Sequence, residues 1–139
     1  MDATRYKKYS AESGIDIGSM AVIVQEMVHA EYAGVAFTTN PIEGDDRIAL
    51  IEVVEGVGES LVSSQKTPAT LRVNKMTDIA RIQQIGDDNI EEVVLTRICD
   101  LLMPYMHEIE KLYDQPMDVE WAVKNGDVFI LQARPITTI

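Results

Sequence analysis

The chain has 139 residues, 46% hydrophobic and 25% charged, an ordinary balance for one globular domain with a buried core, so disorder is excluded as its general state. Lys+Arg 12 against Asp+Glu 23 leaves a formal charge of -11, which argues against nucleic acid or an anionic membrane surface as partner. The lone cysteine, Cys99, lies in an apolar stretch and has no second thiol to pair with, which suits a buried structural thiol in a reducing, cytoplasmic setting. No apolar run approaches the ~20 residues of a membrane span, and Met1-Asp2-Ala3-Thr4 does not open a signal peptide.

In chain order, residues 1–19 are polar, with Arg5, Lys7 and Lys8 clustered and Gly14 interrupting, and read as an exposed lead-in. Residues 20–139 read as the folded unit. Ala21 to Val28 is β-rich, His29 to Tyr32 turns the chain, and Gly34 to Thr38 predicts a strand pairing with the first. Asn40-Pro-Ile-Glu-Gly-Asp-Asp46 is a loop by its proline, glycine and paired aspartates, and Ile48 to Val54 is a further strand. Gly56-Val-Gly-Glu-Ser60 is glycine-punctuated, Glu59 to Val62 predicts a short helix, and Gln65 to Pro68 turns again. Leu71 to Val73 and Ile79 to Ile82 are short strands.

After Gly86-Asp-Asp88, apolar residues recur at helical spacing through Ile90, Val94, Ile98, Leu101, Tyr105, Ile109 and Leu112. Asp88 is the expected N-cap, and Pro104 is expected to split or kink the helix, because an interior proline removes a donor and clashes with the preceding turn. The whole reads as an α+β fold, mainly antiparallel sheet, with a helical segment before the last hairpin.

That hairpin carries the chemistry. Asp118 to Val123 and Val128 to Arg134 are strands joined around Lys124-Asn-Gly-Asp127, and Asn-Gly is a strong hairpin signal. A strict two-residue turn would pair Lys124 with Asp127 and send Glu120 and Gln132 to opposite faces. A three-residue loop with Gly126 in a bulge would set Asp118 opposite Gln132 and Glu120 opposite Ile130. In that register Val119, Trp121, Val123, Phe129, Leu131 and Ala133 form a core face, while Asp118, Glu120, Gln132 and Arg134 share the other. The hydrophobic pattern favours this second register. A carboxylate and an amide oxygen on one rigid face suit Mg²⁺, which takes few protein oxygens and completes its shell from phosphates and water. Arg134 on the same face supplies a planar cation for a phosphate oxygen. The competing reading makes Glu120 and Arg134 a solvated cross-strand pair.

Met20-Ala-Val-Ile-Val-Gln-Glu-Met-Val28, Ala33-Gly-Val-Ala-Phe-Thr38, Asn40-Pro41, Gly58-Glu59, Thr67-Pro68, Asp118-Val-Glu-Trp-Ala122 and Leu131-Gln-Ala-Arg-Pro135 follow an order and spacing that resemble the nucleotide-binding domain of the phosphoenolpyruvate synthase and pyruvate phosphate dikinase family. Rifampicin phosphotransferase and glucan water dikinase share this kind of domain. The resemblance runs from about Tyr6 to the last residue and implies the second subdomain of an ATP-grasp fold. It implies that Glu120 and Gln132 hold magnesium, that Asp118 supports that site, and that Arg134 contacts the transferring phosphate as the catalytic cation. It further implies an adenine-binding connector at Gln25, Glu26, Met27 and Val28, a phosphate-side glycine at Gly34, and a nucleotide-pocket glutamate at Glu59 touching ribose or a second metal.

The implied ligands are ATP and Mg²⁺, and the implied reaction phosphorylates a histidine on a mobile domain for transfer to pyruvate. The resemblance leaves several family parts unmatched. These are the amino-terminal half of the ATP clamp, the phosphohistidine domain and the pyruvate- or phosphoenolpyruvate-binding domain. The expectation is therefore a fragment or truncated reading frame, inactive by itself, whose uncovered sheet face favours homo-oligomers. The alternative from another class is a degenerate, non-catalytic docking module.

The remaining motifs have plainer readings. Gly56-Val-Gly-Glu59 lacks the lysine of a P-loop and the third glycine of a dinucleotide fingerprint. Glu91, Glu92, Glu108 and Glu110 are expected on a solvated helix face. His29 and His107 read as loop and helix-face residues, and the methionines as core filler.

Overall fold

A computed structural model describes residues 29–56 and 66–136. The expected strand over 21–28, the short helix at Glu59 to Val62, and the candidates Gln25, Glu26, Met27, Val28 and Glu59 lie outside the described residues.

The elements are β1 (Tyr32–Phe37), β2 (Ile48–Glu55), β3 (Ala69–Asn74), β4 (Ile79–Gln84), α1 (Glu92–Tyr113), β5 (Met117–Lys124) and β6 (Asp127–Pro135). The strands form one antiparallel sheet in the order β4-β3-β2-β1-β5-β6. The fold is α+β, as the sequence predicts, with α1, the helix among the described residues, inserted between β4 and the final hairpin. Residues 40–46 form the expected loop, in which the Asn40 Oδ1 accepts the N–H groups of Ile42 and Glu43, the local side-chain mimicry of a turn for which asparagine is favoured.

Period-2 alternation assigns the sheet a helix side and an open side. Residues directly opposite across antiparallel strands share a face. One row therefore reads Ala69, Val53, Gly34, Trp121, Ile130 across β3, β2, β1, β5 and β6. It is covered by α1, whose Leu95, Ile98, Cys99, Leu102, Met103, Met106 and Ile109 are buried in the same cluster.

The helix differs from expectation in three ways. It runs unbroken from Glu92 to Tyr113 with Pro104 inside. The residues flanking the proline, Leu102, Met103 and Met106, are buried against the sheet, and this packing offsets the lost hydrogen bond. Asp88 is not the N-cap; Glu91 holds that position without a side-chain bond. The buried stripe also lies slightly round from the predicted one, so Leu112 is exposed while Leu95 and Leu102 are buried.

Candidate functional site

The final hairpin turns through Asn125 and Gly126, with φ of 52° and 79°. Two consecutive positive φ values define the two-residue hairpin turn that Asn-Gly favours, and Lys124 pairs with Asp127. The three-residue loop expected from the hydrophobic pattern is therefore corrected. Near the turn Trp121 faces Ile130 and Val123 faces Val128, all four buried on the helix side, whereas the expected register placed Val128 and Ile130 on the open side.

A bulge then shifts the ladder between Glu120 and Trp121, so that Glu120 pairs with Gln132 and Asp118 with Arg134. Leu131 is the extra residue. The bulge restores by irregularity what the short turn would forbid, and the four polar side chains share the open face.

Across the sheet the open face carries two polar rows. One is Thr70, Glu52, Val35, Glu120, Gln132; the next is Arg81, Arg72, Leu50, Phe37, Asp118, Arg134. The Arg134 Nε donates to the Asp118 Oδ2 at 3.1 Å, with side-chain exposures of 67% and 16%. The carboxylate fixes the guanidinium near its base and leaves the outer nitrogens toward solvent, free to meet an anion.

Glu52 is the residue that the sequence reading missed. It is half-buried, and burial, reinforced by the charge of Asp118, pushes its carboxyl above the ordinary 4.5. Its signal was an acid in the apolar interior of a strand, Ile48–Glu55, whose other acid stands at its end. The same row holds Glu120 two strands away, about 10 Å at normal strand spacing.

Gly34 lies on the other side. A Cβ there would fall 1.8 Å from the Glu52 carbonyl oxygen and 3.1 Å from the Trp121 ring. The close approach its missing side chain permits is thus made by β2 and the tryptophan under the helix.

For magnesium, the donor chemistry fits. Glu120 and Gln132 offer hard oxygens from opposite positions on adjacent strands. Among the described residues no group of three or more His, Cys, Asp or Glu could hold a metal by itself. An ion at this face would complete its shell from ligand and water, as Mg²⁺ does at phosphate sites. Cys99 contributes nothing here: it sits on the buried face of α1, on the other side of the sheet, and burial, with the charges of Asp100 and Asp78, pushes its thiol up to about 12. No helix among the described residues is long and apolar enough to cross a membrane.

The family described as pyruvate phosphate dikinase, AMP/ATP-binding domain matches residues 2–100 and 95–139. A probable phosphoenolpyruvate synthase of Methanothermobacter thermautotrophicus is 38% identical over 94% of this chain and 22% of its own length. A second, from Methanocaldococcus jannaschii, is 40% identical over 87% of this chain and 12% of its own. A rifampicin phosphotransferase of Streptomyces sviceus is 29% identical over 94% and 18%. The chain thus spans under a quarter of the length of these relatives.

Proposed function

Because the chain belongs to the pyruvate phosphate dikinase AMP/ATP-binding domain family, we propose that its open sheet face is the Mg²⁺–ATP floor of a phosphoenolpyruvate synthase-like phosphotransferase. In this reading the whole protein uses ATP to phosphorylate a histidine on a mobile domain, for transfer to pyruvate. The observation that carries the reading is the pairing of Glu120 with Gln132, beside an Arg134 held by Asp118.

Glu120 and Gln132 are the residues that would hold the cation. When bound, Mg²⁺ supplies charge neutralisation to the phosphate oxygens. Arg134 binds a transferring phosphate oxygen through its outer nitrogens, and Asp118 orients it. Phosphoryl transfer depends chiefly on position and charge, so none of these residues needs to move a proton. Glu59 and the segment from Gln25 to Val28 complete the proposed nucleotide pocket. Half of a clamp cannot enclose a triphosphate, and the 139-residue chain by itself is expected to bind ATP weakly.

The test is titration calorimetry on the chain reconstituted with an amino-terminal half of the nucleotide-binding domain. Binding of ATP should require Mg²⁺ and be lost in Glu120→Ala. Undiminished binding in that variant would overturn the assignment, and a complex indifferent to nucleotide would favour the docking module.

A further inference from the structure

Glu52 lies in the interior of β2 and shares the open face with the proposed cation ligands. Its neighbours across the adjacent strands are Thr70 on β3 and Val35 on β1, and beyond Val35 the same row continues to Glu120 and Gln132. Among the described residues nothing donates a hydrogen bond to its carboxylate. Burial acts on the group first and the charge of Asp118 second, and both disfavour its ionised form. A half-buried acid with no donor weakens a strand that an apolar residue would strengthen. Local costs of this kind are met where a protein binds something, and the open face is where this one falls.

The row also sets a distance. Among the described strands β6 is at the edge of the sheet, so a nucleotide whose last phosphate meets Arg134 leads inward from there. Along the row it passes Glu120 and then Val35, an uncharged side chain, before it reaches Glu52. Side chains stand roughly upright on a strand, and two strand spacings put Glu52 about 10 Å from Glu120. Paired metal ions lie about 3.5–4 Å apart, so Glu52 is too distant to share a second ion with Glu120. A phosphate at that point would be repelled by the carboxylate. Adenine presents an amine donor beside a ring-nitrogen acceptor, and an ionised carboxylate only accepts, so the base matches it by half. The ribose matches fully: its two adjacent hydroxyls both donate, the carboxylate has an oxygen for each, and the sugar lies a triphosphate's length from the terminal phosphate.

We propose that Glu52 is a specificity-determining residue of the nucleotide site, accepting the ribose hydroxyls and so selecting a ribonucleotide over its deoxy forms. The inference rests on the Mg²⁺–ATP reading of the open face given above. A half-buried acceptor that a ligand covers discriminates strongly, because a sugar lacking the hydroxyls leaves it desolvated and unpaired.

The experiment is titration calorimetry of the reconstituted domain with ATP and with 2′,3′-dideoxy-ATP, each in excess Mg²⁺. The parent should prefer ATP by roughly tenfold or more. Glu52→Leu should weaken ATP by about that factor, leave the dideoxy nucleotide within about twofold of the parent, and so erase the preference. Glu52→Gln keeps the shape of the side chain and one acceptor, and should lower the preference several-fold, again through ATP alone. Retained dideoxy binding shows in each case that the variant is folded. A parent without preference, or a preference that survives both substitutions, would overturn the proposal. Equal weakening of both nucleotides by Glu52→Gln would overturn it as well, since that is what a merely structural role gives. A protein whose nucleotide binding ignores Glu120→Ala fails the functional reading and this one with it. One that depends on Glu120 but keeps the parent's sugar preference in both Glu52 variants fails this one alone.

Discussion

Glu120 and Gln132 stand directly opposite each other on β5 and β6, although the two-residue turn joining these strands would by itself set them on different faces. The offset is made up at Leu131. Deleting Leu131 should therefore leave Gln132 following Ile130 in regular alternation, still opposite Glu120, with Arg134 still opposite Asp118. Deleting Ala133 should move Arg134 to the position facing Val119, under the helix. Mg²⁺–ATP titration of the reconstituted domain should show affinity within about tenfold of the parent for the first deletion and no measurable binding for the second. Equal losses in both would mean that the bulge, and not the shared face, is what the site requires.

The hairpin also shows how far the sequence could be read. Alternation correctly put every long polar side chain of its body on one side, because that inference depends on burial. The turn was misread because a regular ladder was assumed throughout, and a bulge leaves no residue signature as strong as Asn125-Gly126. Long-range partners were less legible still. Asp88 looks like a helix cap when only its chain neighbours are considered, yet it bonds Glu55, 33 residues away. Glu52 was passed over because an acid in the apolar interior of a strand has no meaning until β1 brings it onto the face of Glu120. The close packing of Gly34 against β2 is likewise set by a strand its chain neighbours do not reveal.

Gly34→Ala should abolish the fold. The added methyl would lie 1.8 Å from the Glu52 carbonyl oxygen and 2.8 Å from its carbon, and both belong to the backbone of the central strand β2. Relief requires β1 and β2 to part, with loss of their ladder. The expected destabilisation exceeds about 4 kcal/mol, the range of severe core defects. Circular dichroism on the variant should show no cooperative thermal transition; a folded protein within about 1 kcal/mol of the parent would contradict the packing described.

Glu52→Gln should stabilise the protein in a pH-dependent way. The folded-state carboxyl is raised above 4.5 by burial and then by Asp118, so the folded protein holds this proton more tightly than the unfolded chain. At pH below the unfolded value both states are protonated and the glutamate carries no penalty. As pH rises through the folded value, stability is lost, and the loss is complete at neutrality. The glutamine variant should match the parent near pH 3 and exceed it at pH 7 by at most about 1 kcal/mol. Thermal melts at the two pH values check this; a variant less stable at pH 7 would show that Glu52 has a favourable partner in the folded protein.

Trp121 is 1% exposed, yet its Nε1 has no hydrogen-bond partner among the described residues. A buried N–H left unpaired costs roughly 1–3 kcal/mol, while the ring supplies apolar contact on the helix side of the sheet, beside Gly34. Trp121→Phe discards part of that contact and the unpaired donor together. The two effects oppose each other, so the variant should lie within about 1.5 kcal/mol of the parent. Trp121→Ala keeps neither ring nor donor and leaves a cavity over Gly34, and it should cost about 3–5 kcal/mol. Urea unfolding followed by circular dichroism separates the cases, since the parent has a single tryptophan and fluorescence is lost with it. If Trp121→Phe were as damaging as Trp121→Ala, the indole N–H must have a partner in solution, and the core around β1 and β5 would be wetter than this packing allows.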